Sequence, residues 1–127
     1  MYCLDTSVII DIFRGNEEVI KEIEKIWTEE IFVTSISLCE LYKGAYGHSN
    51  FKEKINLIEE FIKNLKVLSL NSNSCKEFGN LSSELKKNGK EVNDFDIIIA
   101  SIVKSNNLVL VSRDKHFKNF QIKALFV

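Results

Sequence analysis

Short apolar strands alternate with longer helical segments along the chain, and this alternation restricts the possible folds more than any other feature of the sequence. Residues 1–5, 30–35 ("EIFVTS"), 66–70 ("KVLSL"), 108–112 ("LVLVS") and roughly 121–126 have the length and residue types of strands. Between them lie segments with apolar residues at helical spacing. The first runs to Phe13, with Ser7 as its cap and Gly15 at its end. Val19, Ile20, Ile23, Ile26 and Trp27 mark a helix over 17–28, and residues 36–46 form another, stopped near Gly47. Phe51, Ile55, Ile58, Phe61, Ile62 and Leu65 line a long amphipathic helix. Cys75, Phe78, Leu81 and Leu85 line one that stops near Gly89, and 94–105 has an unusually apolar body. Proline is absent, so helix limits rest on caps and glycines. Strands joined by helices make right-handed βαβ units and a parallel sheet. The expected class is α/β: a three-layer α/β/α sandwich around a central, mainly parallel sheet. The unbroken "LVLVS" reads as a strand buried on both faces. In such sheets a ligand site lies beyond the carboxyl ends of the strands.

The bulk properties set bounds. A length of 127 residues suits one domain, 1–127, large enough to bury a core without staples. No apolar run approaches the ~20 residues of a membrane span. No basic, cleavable leader opens the chain, so a cytoplasmic location is the default expectation. Cys3, Cys39 and Cys75 form no CxxC pair, which argues against zinc, and each reads as a small buried hydrophobe. The net charge is −1, so bulk charge carries no nucleic-acid signature. Only Arg14 and Arg113 are arginines.

Four acids sit where acids are costly. Asp5 ends the first strand, and Asp114 follows the "LVLVS" strand by two residues. Glu40 lies between Cys39 and Leu41, and Asp96 between Phe95 and Ile97. A carboxylate near an apolar core needs a partner or a cation. Oxygen-only donors select hard divalent ions such as Mg²⁺ or Mn²⁺. Such ions clamp phosphate oxygens, which points to phosphodiester hydrolysis. Each acid also has a plainer reading. Asp5 can cap the next helix, Glu40 can pair with Lys43 or Lys104, and Asp114 can be a turn residue. Asp94 reads as an N-cap. Asp94 and Asp96, two apart, do not share a helix face.

The remaining candidates are weaker. His48 lies in a polar loop and reads as solvated, and His116 as a structural neighbour of Asp114 rather than a ligand. Tyr42, Phe13 and Phe95 have rings that stack on RNA bases, but core packing is the expectation for Phe13 and Phe95. Trp27, Phe51 and Phe61 exceed what a small core needs, and suggest a surface for a partner.

In this order, "YCLDTSVIIDIFRG", "TSISLCELYKGA", "DFDIIIASIV" and "LVLVSRDKHF" resemble the motifs of the PIN domain, particularly VapC-type toxins of toxin–antitoxin pairs. The resemblance extends over essentially the whole chain. It implies that Asp5, Glu40, Asp96 and Asp114 are the metal-binding and catalytic acids. Glu40 matches the acid of an "E-L-x-x-G" segment, and Asp96 the acid followed by Ile99 and Ala100. Ser112 takes a Thr/Ser place before Asp114, and Phe117 matches the aromatic after it. Ser101 departs from the usual alanine. Thr6 and Ser7 would hold the turn after Asp5, and Asp94 competes with Asp96 for the inward position. The function so implied is a Mg²⁺- or Mn²⁺-dependent endoribonuclease, a homodimer held inactive by a small antitoxin that occupies its acidic cleft. A PIN nuclease of RNA processing without an antitoxin, or a non-catalytic binding module on the same fold, are the alternatives. A neighbouring antitoxin gene would separate the first of these, and the full set of acids weighs against the second.

Overall fold

A computed structural model describes all of residues 1–127. Five strands, β1 (Tyr2–Leu4), β2 (Ile31–Thr34), β3 (Lys66–Leu68), β4 (Val109–Ser112) and β5 (Lys123–Phe126), form one sheet. Their order is β3-β2-β1-β4-β5, and every neighbouring pair is parallel. The helices are α1 (Thr6–Phe13), α2 (Glu17–Glu24), α3 (Ser35–Tyr46), α4 (Phe51–Ile62), α5 (Ser72–Lys87) and α6 (Asp94–Ser105). A 3₁₀ turn, Lys115–Asn119, precedes β5.

The two-residue period of a strand divides the core between the two faces of the sheet. In the central pair, Cys3 stands opposite Leu110, and Leu4 opposite Val111. Leu4 and Val111 pack with Val8, Ile9, Val19, Leu41 and Ile58, under α1 to α4. Cys3 and Leu110 pack with Leu81, Leu85, Ile99 and Val103, under α5 and α6. This is the expected three-layer sandwich. No helix is long and apolar enough to cross a membrane.

Several local expectations need correction. Ser7 does not cap α1: the helix begins at Thr6 after Asp5, and Asp5 makes no side-chain cap hydrogen bond. α2 stops at Glu24, and residues to Glu29 continue as three-residue turns, with Ile26 N–H donating to the Ile23 carbonyl and Glu29 N–H to that of Ile26. Asp94 is the first helical residue of α6; its cap is Asn93, whose side chain accepts from Phe95 N–H. Cys3 is buried, but Cys39 and Cys75 are exposed. Apolar neighbours in sequence do not fix a helical face, because adjacent residues point about 100° apart. In α5 the inward residue is Ser74, locked to Asn71 in a capping box, so Cys75 turns outward. Phe95, expected in the core, is 47% exposed in the first turn of α6.

Leu110 is fully buried at the middle of the sheet. Leu110→Ala should lower the unfolding free energy by about 2–5 kcal/mol, measured by urea denaturation. A loss below about 1 kcal/mol would contradict this packing.

Candidate metal centre

Parallel strands bring their carboxyl ends to one edge, and the chain puts acids there. Asp5 directly follows β1 and is the residue before α1. Asp114 lies two residues beyond β4 and starts the 3₁₀ turn. Glu40 is on α3, which follows β2 without a break, and Asp96 is in the first turn of α6, which leads back toward β4. Three of the four therefore stand at helical N-termini, where free N–H groups favour negative charge. Glu40, mid-helix, has no such support.

Asp5 is the most buried of them, only 4% exposed. Its Oδ2 accepts from Ser112 Oγ at 2.7 Å and from Ser7 Oγ at 2.9 Å. Ser7 Oγ also accepts from Arg113 N–H, and Ser112 Oγ from Asp114 N–H. Two hydroxyls thus join the start of α1 to the exit of β4. Glu40 Oε1 accepts from Thr6 Oγ1 at 2.7 Å, which ties α3 to the same turn. His116 lies beside Asp114, Nδ1 to Oδ1 at 2.8 Å, and its N–H donates to the same oxygen. Neither Lys43 nor Lys104 pairs with Glu40; Lys104 faces Glu77 instead. Asp94 is exposed and Asp96 half-buried, so Asp96 is the member of the pair turned toward the other acids.

The electrostatics link the four into one set. Burial pushes the Asp96 carboxyl up to about 6, reinforced in turn by the charges of Asp5, Asp114 and Glu40, while His116 pulls it back. Burial also raises Asp5, with Glu40 adding to it, against the opposing hydrogen bonds from Ser112 and Ser7 and from the Thr6 N–H. No lysine or arginine is ion-paired to any of the four.

Hard oxygen donors crowded together without a paired lysine or arginine suit Mg²⁺ or Mn²⁺ in chemistry and charge. The set is open rather than a closed cage: as the side chains stand, no three His, Cys, Asp or Glu groups are arranged to hold an ion. Residual hydration is normal for Mg²⁺, which keeps several waters and takes one or two carboxylates at a time. The donor set fits the ion on that ground.

Two features escaped the sequence. Arg113 Nε pairs with Asp11 Oδ2 at 2.9 Å and braces the exit of β4 against α1. Glu40 also forms one wall of a cavity between α1, α3 and α4. Neither has a local signal, because each joins residues far apart in sequence.

The PIN domain family model matches residues 2–123. Ribonuclease VapC1 of Haemophilus influenzae is 31% identical over 123 residues, which covers 95% of this chain and 90% of the relative. Ribonuclease VapC3 of Methanocaldococcus jannaschii is 39% identical over 99 residues, 78% of this chain and 94% of the relative. Among solved structures, VapBC-1 from nontypeable Haemophilus influenzae superposes with a TM-score of 0.88 at 29% identity, covering 98% of this chain and 96% of that one. VapBC2 from Rickettsia felis, solved with a promoter DNA fragment, gives a TM-score of 0.92 at 22% identity over 99% of this chain and 98% of that one, and speaks to the fold alone.

The raised carboxyl of Asp96 has a signed consequence for stability without metal. The folded state holds this proton more tightly than the unfolded chain, whose Asp releases it near 3.9. Folding is therefore favoured at low pH relative to neutral pH, and stability falls as pH rises from about 4 to about 6. Solvent screening at a half-exposed carboxyl limits the effect to about 1 kcal/mol. In chelator, Asp96→Asn should be more stable than wild type at pH 7.5 by about that amount, with the gain vanishing near pH 4. Denaturation at both pH values checks this; a mutant equally destabilised at both would contradict it.

Proposed function

The chain belongs to the PIN domain family, and from that premise we infer that it is a VapC-type ribonuclease, the toxin of a toxin–antitoxin system. It is an endoribonuclease that hydrolyses RNA phosphodiester bonds. The observation that carries this is the 31% identity to ribonuclease VapC1 of Haemophilus influenzae over an alignment that covers 95% of the chain. The coupling of Asp96 to Asp5, Asp114 and Glu40 at one sheet edge supports a nuclease centre in this chain itself.

Asp5, Glu40 and Asp96 would hold a Mg²⁺ or Mn²⁺ ion, with Asp114 assisting or serving a second one. When bound, the ion supplies Lewis acidity toward phosphate oxygens and neutralises the cleft. The protein's own part is orientation and proton transfer. Ser7 and Ser112 fix one oxygen of Asp5 and leave the other available. Thr6 does the same for Glu40. A carboxylate of the set accepts the proton of the attacking water. The backbone N–H of Asp114 held by Ser112 keeps that acid in register with Asp5.

The partners follow from the same reading: RNA as substrate, a small antitoxin protein as inhibitor, and a second copy of the chain in a homodimer, all in the cytoplasm. The solved relative VapBC-1 supports a protein partner. So does the apolar hollow between α2 and α4, lined by Ile12, Ile20, Ile23, Trp27 and Phe61. Trp27 is 40% exposed there, with Phe61 tilted against it at 6.2 Å. An antitoxin covering that hollow, with a segment reaching over the acids, would both shield the apolar surface and block the cleft.

Asp5→Asn tests the function. Asparagine keeps the shape and the hydroxyl contacts but lacks the charge that a hard cation requires. The mutant should melt at or above the wild-type temperature without metal, because like-charge repulsion is relieved. Cleavage of total cellular RNA in Mg²⁺ or Mn²⁺ should fall at least about a hundredfold. A folded Asp5→Asn protein that cuts RNA at the wild-type rate would refute the assignment.

A further inference from the structure

Gly44 has no conformational need to be glycine. It lies inside α3, outside the left-handed region, and a Cβ built on it meets nothing within 4 Å. Glycine within a helix is less stable than alanine. The space beside it has a shape: a cavity of about 260 Å³ between α1, α3 and α4, with Gly44 in its lining.

Phe13 and Ile58 contribute to an apolar floor, and Glu40 of the acidic set forms a wall. Arg14, His48 and Lys54 also line the cavity, and none of them is ion-paired within the chain. Lys54 is part-buried even so. Apolar floor, the free charges of Arg14 and Lys54, and an acid of the metal centre together suit a flat, weakly polar group that carries an anion. A nucleobase with its phosphate has that character. An apolar peptide segment would instead cover Arg14 and Lys54 without pairing them, at a desolvation cost. The position also answers an electrostatic need. The chain's net charge is −1 and its centre is acidic, so attraction for RNA must come from a local cluster of cations.

We propose that this cavity is a nucleotide subsite, which seats one RNA residue beside the scissile bond. Arg14 and Lys54 take its phosphate, and Gly44 stays bare to leave room for the base. The proposal rests on the endoribonuclease reading above.

The test compares Arg14→Ala, Lys54→Ala and Gly44→Leu with wild type, as initial rates of single-stranded RNA cleavage in Mn²⁺ at several salt concentrations. Each charge removal should raise KM about three- to tenfold at low salt and leave kcat nearly unchanged. Each should also flatten the slope of log(kcat/KM) against log[salt] by about 0.7. Gly44→Leu fills the cavity and should lower kcat/KM about tenfold or more. It should melt no lower than wild type, because leucine is the better helix former. If Gly44→Leu fails to fold, the salt slopes of the two charge variants decide. Wild-type kinetics and slopes in the variants would overturn the subsite while leaving the nuclease standing. Variants that keep their RNA kinetics but escape inhibition by the antitoxin would overturn it too, and assign the cavity to that protein. A wild-type protein that leaves RNA intact in Mn²⁺, as it does in chelator, removes the nuclease reading and the subsite with it.

Discussion

A carboxylate only 4% exposed, held by two hydroxyls and by no cation, is the constraint around which this molecule is arranged. Asp5 ends the central strand of the sheet, so it cannot swing into solvent without disturbing β1. Its N–H donates to the Val111 carbonyl, and its own carbonyl receives the first bonds of α1. The backbone on either side is committed to the fold, and the charge is fixed where the strand stops.

The rest of the site compensates in part. Ser7 and Ser112 supply hydrogen bonds, and the start of α1 supplies oriented N–H groups. The Arg113–Asp11 pair holds β4 and α1 together, which keeps both hydroxyls on one oxygen of Asp5. What remains is burial together with like charge: the Asp96 carboxyl is raised first by burial, then by the charges of Asp5, Asp114 and Glu40. A fold that keeps four coupled acids without an internal cation sacrifices stability at neutral pH. Binding of a divalent ion to the folded form alone would return it.

Much of this was legible in the sequence. Strand–helix alternation led to the parallel sheet, and a parallel sheet places strand-end acids on one edge whatever the details. Asp5, Asp114 and the apolar contexts of Glu40 and Asp96 were therefore readable as a group. Helical faces were not. The neighbours of Cys39, Cys75 and Phe95 suggest inward positions, yet the face is decided by tertiary contacts and by caps such as Asn71 and Asn93. Serine often caps a helix, but here the Ser7 hydroxyl serves Asp5 instead. The Arg14–Glu40–Lys54 cavity had no sequence signature, since α1, α3 and α4 meet only in three dimensions.

The central claim is that the four acids act as one site that a hard divalent ion relieves. The most direct measurement is calorimetric titration of Mn²⁺ into the protein in buffers of different ionisation enthalpy. With the Asp96 carboxyl near 6, binding at pH 6 should release about half a proton per ion, and binding at pH 8 almost none. Saturable Mn²⁺ binding with that pH-dependent release supports the account. Absence of binding, or binding with no proton release at pH 6, would contradict it.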